Sequence, residues 1–396
     1  MRALRQVAAV MALNLRTIPA RLSSSAVAIT GIAGVVIVFV SLLSIGAGFA
    51  AAMQGSGSPA RALILRSGAD TELTSGLEGP EVDVIKQAPG IRRDASGPRA
   101  SAELYAMLDI PKRATPDVGA NVPMRGVEPA GIAARDVVSI LQGRMFQFGT
   151  NEVIVGLAAS REFLKMRVGD TIVSGQNRWP VVGIFKANGG VAESEVWGDA
   201  RTLQGTYKRG STYQSVLVQL DSTDRYDALR DWLTSNPQVK VGVRRESQYY
   251  ADQSAAMTRL IQTIGFAIAA LMGIGAVFGA ILTMYTAVAS RSREIATLRA
   301  LGFNTTSVLA SVLAESLALG AIGGSIGAVV ADVGFNGFET STMNFQTFSQ
   351  VAFAFRVTPQ LLAMGLFYAL LMGLIGGLFP AVRAARLPIA AALREL

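Results

Sequence analysis

The sequence predicts an α-helical membrane protein, with four transmembrane helices and one large α+β domain inserted between helices one and two. Three observations lead there. Of 396 residues, 51% are hydrophobic and only 16% are charged, where soluble domains carry about 25% charged residues; mean hydropathy is +0.39. Four stretches reach the roughly 20 apolar residues needed to cross a bilayer, and Glu315 is the acidic residue expected within membrane depth, Asp332 standing at the far end of the third. Between the first two stretches, residues 51–258 carry charges, prolines and turn pairs throughout, the mark of a soluble domain of ordinary size.

The elements follow in chain order. Residues 1–21 place Leu4, Val7, Val10 and Met11 on one helix face among Arg2, Arg5 and Arg16, until Pro19 ends or bends the helix. The apolar run behind it starts too late and extends too far for a cleaved leader, so an uncleaved interfacial helix is expected. Transmembrane helix one takes residues 22–50. No charge falls between Arg21 and Arg61, and Gly31, Gly34, Gly46 and Gly48 allow close helix packing. The linker GSGSPA then opens the soluble block. Strand-like runs at 62–65, 152–155, 171–173, 180–185 and 215–220 alternate with helix-like runs at 80–87, 156–165 and 224–235, a mixture that predicts an α+β domain. Gly169 and Asp170 make a turn, and Val168, Ile172, Val181, Val182 and Ile184 build a small β core around it.

Helix two fills 259–289 and is longer than a bilayer core requires; a short loop follows at 290–304. Helix three takes 305–334 and helix four 359–380, before a tail at 381–396. The connection 335–358 holds Asn, Thr and Phe with few charges, so an external re-entrant or interfacial piece is expected. Arginines on the N-terminus, on the 290–304 loop and on the tail all mark one face as cytoplasmic. Four spans then keep both termini in the cytoplasm and set residues 51–258 outside.

Composition also removes whole classes of chemistry. The chain has no cysteine and no histidine, which excludes disulfides, zinc sites built on those ligands and histidine-based acid–base catalysis. A net charge of +8 could signal nucleic acid, but the basic clusters flank the apolar runs, so membrane orientation accounts for them and no nucleic-acid partner is expected. No Gly-Lys pair occurs, so no P-loop is present. Gly273, Gly275 and Gly279 lie inside a span, and with Gly320, Gly324, Gly327, Gly373 and Gly377 they are expected to serve helix packing. Glu315 is expected near the cytoplasmic end of helix three, paired with Arg293 or Arg299. Glu193 and Glu195 follow Gly189-Gly190 and are expected in a solvated loop, with Trp197 as an apolar anchor for a partner.

The stretch SRSREIATLRALGFNTTSVLASVLAESLAL at 290–319 organises the rest. Ile295, Leu298 and Leu301 recur at a spacing of three amid Arg291, Arg293, Glu294 and Arg299, so a short helix with one apolar and one basic side is expected. Its order, R-x-R-E-I-x-x-L-R-A-L-G, resembles the permeases of MacB/FtsX-type ABC transporters, with Ala296 where the family commonly has Gly. The run NEVIVGLAASREFLKMRVGDTIVSGQNRWPVVGIF at 151–185 and the tail PAVRAARLPIAAALREL resemble the same family, apart from Leu387 where an acidic residue is common.

The resemblance implies a two-lobed extracytoplasmic domain, with an α/β lobe at 60–145 and 206–250 and a β-rich lobe at 146–205. It implies that helix two extends as a stalk. It makes 290–304 a coupling helix in which Arg291, Arg293, Glu294, Ile295, Leu298 and Arg299 meet a separate ABC ATPase, present in two copies and holding ATP and Mg. This chain would then be a non-enzymatic permease subunit without cofactors, in the bacterial inner membrane, beside membrane lipid and a second copy of itself or a related permease. The expected function is mechanotransmission. ATP-driven motion would reach the periplasmic domain and drive efflux or extraction of a hydrophobic or amphipathic substrate, in exporters through a membrane-fusion adaptor and a TolC-like outer-membrane channel. The alternatives are a lipoprotein- or glycolipid-extracting transporter, or an FtsX-like activator of a cell-wall hydrolase.

Overall fold

The computed structural model describes residues 22–174 and 177–388; the helix expected at 1–21 and the end of the tail, 389–396, lie outside them. Helix α1 (Leu22–Ser56) is followed by β1 (Arg61–Arg66), α2 (Gly79–Gln87), the short ribbon β2 (Arg93–Asp94) and β3 (Gly97–Pro98), then β4 (Ala100–Pro111) and β5 (Gly119–Val127). Next come α3 (Pro129–Ala133), β6 (Ser139–Gly143), β7 (Val153–Gly156), α4 (Leu157–Glu162), β8 (Thr171–Ser174), β9 (Asn177–Lys186) and β10 (Val196–Asp199). Helix α5 (Ala200–Thr206), β11 (Ser215–Gln219), α6 (Tyr226–Ser235) and β12 (Val241–Arg245) complete the soluble block. Helix α7 (Glu246–Ala289), α8 (Ser292–Ala300), α9 (Thr305–Phe335), the hairpin β13 (Glu339–Asn344) and β14 (Ser349–Ala354), and α10 (Pro359–Ala385) close the chain. Two compact units result. A helical unit holds the chain to Ala47, Arg259–Phe338 and Phe355 onward; an α+β unit holds Gly48–Thr258 and Glu339–Ala354.

In the α+β unit one mixed sheet runs in the order β12-β1-β11-β4-β5-β10-β7-β9-β6, with β8 on β9. Strand β4 changes partners midway: Glu103 lies opposite Ser215 of β11, and Leu104 opposite Gly126 of β5. Two cores form on either side of that switch. Ile64, Val82, Ile85, Val216, Leu229 and Leu233 pack in one; Leu104, Val122, Met124, Val153, Phe163 and Trp179 pack in the other. The lobe boundary expected from the sequence is therefore displaced. The second half of β4 and all of β5 build the β-rich core, because a twelve-residue strand outruns its first neighbour and carries Leu104, Leu108 and Ile110 on into the next lobe.

A buried ionic cluster sits at the switch. Arg125 donates to Glu72 at 2.7 and 2.9 Å, to Glu103 at 2.9 Å and to Glu195 at 2.8 and 2.9 Å. Arg135 forks onto Glu103 at 2.6 and 2.7 Å. Ser215 Oγ donates to Glu72, and Trp197 Nε1 to Glu195, so every carboxylate is served, as buried charges require. Burial pushes the Glu103 carboxyl up, but Arg135 and Arg125 together carry it below the ordinary value. The solvated loop expected around Glu193 and Glu195 is thus a buried turn. Glu195 meets Arg125, Glu193 accepts the backbone N–H groups of Ala187 and Gly189 at 2.7 and 2.8 Å, and Trp197 is wholly covered.

The ends of both long helices join this unit. Arg61 Nε donates to Glu246 Oε2 at 2.6 Å, and the Ser58 N–H donates to the same oxygen at 2.9 Å. The two chain segments approach so closely that a Cβ on Gly57 would meet the Ser247 Cα at 2.5 Å. Helix α7 begins at Glu246, well before the apolar run that marked it in the sequence.

In the helical unit, α1, α7, α9 and α10 are each long and apolar enough to cross a membrane. Val36, Phe39 and Val40 of α1 pack with Ala269 of α7 and Ala369 and Met372 of α10. Helices α9 and α10 press backbone against backbone: a Cβ on Gly320 would meet the Ala369 carbonyl at 2.9 Å, and one on Gly373 the Ser316 carbonyl at 2.8 Å. Gly324, Gly327 and Gly377 have similarly close neighbours. Ser316 Oγ donates to the Gly373 carbonyl at 2.6 Å. Small residues and such hydrogen bonds are what remain to join helices when lipid removes the hydrophobic drive. Gly31, Gly34, Gly275 and Gly279 face open space within the chain, so the close packing expected of them is not made here.

Two outcomes test the cluster. Arg125→Met leaves three carboxylates without their shared cation; breaking a buried pair costs about 3–5 kcal/mol, so the full chain in detergent should melt at a clearly lower temperature, and an unchanged melt would reject the buried network. Acid should act in the same place. Glu103 binds its proton less readily folded than unfolded, so its contribution is complete above the ordinary value of 4.5 and is lost as pH falls toward the lower folded value. Denaturation of wild type and Glu103→Gln should converge over that window.

Candidate coupling site

Helix α8 owes its limits to local chemistry. Glu294 stands in its first turn and Arg299 in its last, each matching the sign of the helix dipole. Its end is a glycine stop. Gly302 adopts φ +91°, its N–H donates to the Arg299 carbonyl at 3.1 Å, and the Phe303 N–H donates to the Leu298 carbonyl at 3.1 Å. Those two bonds satisfy carbonyls that a helix end otherwise leaves open, and the left-handed turn needs a residue without Cβ. The Leu-Gly pair of the motif is therefore a chain-reversal device.

The helix shows two faces. Ile295 and Ala296 are buried, with Ala296 1% exposed, so only a small residue fits there. Leu298 and Arg299 are half-buried, while Arg293, Glu294 and Thr297 are exposed. Leu301 was expected on the apolar side; it is 73% exposed, because it lies past the last helical turn, where the backbone is already bending into Gly302. Arg299 turns inward and donates from Nη1 to the Leu387 carbonyl at 2.6 Å, fastening the start of the tail.

Glu315 is buried, and its partner is neither Arg293 nor Arg299 but Arg291, whose Nη1 lies 3.1 Å from Oε2. The reason is position. Arg291 occupies the bend between α7 and α8, where its buried side chain reaches α9, whereas Arg293 lies on the outer face of α8. The pair stands in the wall of a cavity of about 290 Å³ lined by Met284, Val288, Ile295, Leu298, Val308 and Val312. One ion pair therefore joins the α7–α8 bend to α9 across a mainly apolar gap, which Glu294, Thr297 and Ser311 also line.

Residues 25–236 match the family profile of the MacB-like periplasmic core domain, and residues 266–389 that of the FtsX-like permease C-terminal region. The chain belongs to the MacB/FtsX-type family of ABC transporter permeases. The permease is 25% identical over 297 residues to the macrolide export ATP-binding/permease protein MacB of Bdellovibrio bacteriovorus; the match takes in 69% of the permease and 44% of that relative's length. Among solved structures, it is similar to the extracellular domain of the ABC-type transporter YknZ from Gram-positive bacteria, at 16% identity and TM-score 0.35, covering 46% of the permease and 99% of that chain. The periplasmic region of MacB from Actinobacillus actinomycetemcomitans is similar at 14% identity and TM-score 0.37, covering 50% and 92% respectively. The first profile runs from within α1 through α6 and the second covers α8 through α10, so the α8 motif and the soluble block are recognised independently.

Removing one partner of the buried Arg291–Glu315 pair takes from the other its charged counterpart, and breaking a buried pair costs about 3–5 kcal/mol. Arg291→Met and Glu315→Leu should each lower the melting temperature of the permease, and the double variant should recover most of the loss. Two single effects that simply add would show that the two groups do not interact.

Proposed function

We propose that the permease is the mechanical subunit of an exporter. A separate ATPase, two copies on two permease chains, binds ATP and Mg and presses on α8, and the motion passes to a periplasmic α+β unit that expels or extracts a hydrophobic or amphipathic substrate. The chain lies in the bacterial inner membrane with α8 and both termini in the cytoplasm. An adaptor and an outer-membrane channel complete the path outward.

One observation carries this reading. Helix α8 is stopped at both ends, tied inward through Arg291 and Arg299, and joined by a two-residue link to α7, which runs unbroken for 44 residues from Ala289 to Glu246. A helix on a short link yields little under load, so a push on the exposed Arg293, Glu294 and Thr297 face is not lost in slack. Few ionisable groups occur in the four apolar helices, which suits a permease whose substrate does not pass between them.

The absence of native cysteine makes the test direct. Arg293→Cys and Val173→Cys should be labelled by an impermeant maleimide from opposite sides of the membrane; labelling from one side would end the proposal. With the ATPase present, Arg293→Glu combined with Leu301→Asp changes only exposed side chains and should cut permease-stimulated ATP hydrolysis by about tenfold, the effect of losing a central interface contact.

A further inference from the structure

Helices α9 and α10 are antiparallel neighbours in the helical unit, and a link of roughly 2–8 residues would join them. Residues 336–358 intervene instead, and they form the hairpin β13–β14, with Glu339 opposite Ala354 and Asn344 opposite Ser349. The expected re-entrant or interfacial piece is therefore a β-hairpin, and it belongs to the α+β unit although both flanking helices belong to the other. A lone two-stranded hairpin is marginally stable, so its order comes from what it touches.

Those contacts reach three separate places. Phe353 meets Phe49 of α1 edge-on, with ring centroids 5.7 Å apart. Asn344 Nδ2 donates to Gln253 Oε1 of α7 at 3.2 Å in a buried bond. On the β-rich lobe, Lys112 Nζ lies 2.9 Å from Glu162 and donates to Ser341 Oγ at 2.9 Å and to Gln350 Oε1 at 3.2 Å. The Ser341 hydroxyl also bonds Glu162, and the Ala352 N–H donates to Ser194 Oγ at 2.8 Å. Arg161 and Glu339 pair in solvent, which adds little. The hairpin thus grips the ends of both long helices and the β-rich lobe at once.

We propose that the β13–β14 hairpin is a second transmission line, a clasp that makes α9 and α10 move with the α+β unit. It rests on the mechanical reading above. Helix α8 is joined to α7 by two residues and to α9 by four, both short links, so displacement of α8 enters both helices. One line runs through α7; the other runs through α9 and the clasp.

Spin labels on Gln360→Cys at the start of α10 and Thr234→Cys on α6 test this in the full chain in nanodiscs. Lys112→Ala with Asn344→Ala removes the Lys112 and Asn344 bonds of the polar grip without touching either core, and should raise the undocked population roughly tenfold, seen as a broadened distance distribution. Adding Ser194→Cys and Ala352→Cys as a preformed disulfide, before labelling, should restore the narrow one. An unbroadened distribution in the alanine variant, or no narrowing by the disulfide, would overturn the clasp. These arms need no ATPase, so they stand apart from the coupling reading. With ATPase and ATP added, the wild-type distance should shift and the alanine variant should lose that shift. A retained shift in the alanine variant counts against the clasp, and no shift in wild type counts against α8 as the coupling element.

Discussion

A single guanidinium holds the soluble block together. Arg125 sits where β4 leaves β11 for β5, and the three carboxylates it serves come from the turn after β1, from β4 and from the start of β10. Apolar side chains of like volume would stabilise such a site as well or better. A planar donor with five N–H groups adds direction: each carboxylate must lie near one plane, so the two cores on either side of β4 are held at one angle. Arg135 extends the cluster through Glu103, and the Arg61–Glu246 pair fixes the ends of the two long helices to the same unit. The helical ends therefore enter a body that resists bending between its lobes.

The helical unit solves a different problem. In lipid, burial of apolar surface no longer selects one arrangement, so contact depends on how close the backbones come. Glycine on α9 and α10 brings them to carbonyl distance, and the Ser316 hydroxyl adds a bond that only that closeness allows. Helix α8 adds charged donors to the packing of Ile295 and Ala296. Arg291 reaches α9 and Arg299 reaches the tail, which leaves the outer face of α8 uncommitted to the chain's own interior.

Much of this was legible in the sequence, and the misses share a cause. The four apolar runs and the short β-branched strands declare themselves through composition and period, which are local signals. Helix α8 was legible for the same reason, since its charges and its glycine stop lie within a dozen residues. Partner choice was not. Glu315 was expected to meet Arg293 or Arg299, and the bend at Ser290–Arg291 brings Arg291 to it instead. Glu193 and Glu195 looked solvated because glycines precede them; the burial of Glu195 depends on Arg125, seventy residues earlier, and that of Glu193 on the backbone N–H groups of Ala187 and Gly189. The hairpin was missed because its strands are polar on one face and rest on surfaces supplied by distant segments. The thirteen residues by which α7 precedes its apolar run carry no hydrophobic stripe, and their helical state continues that of the span.

The length of α7 sets a scale. At 1.5 Å per residue, 44 residues make a rod of about 66 Å. A tilt of roughly 5° at one end of such a rod displaces the other by about 6 Å, more than the width of a strand spacing. Geometry alone thus turns a small rotation at one end of α7 into a displacement of several ångströms at the other, with no hinge needed along its length.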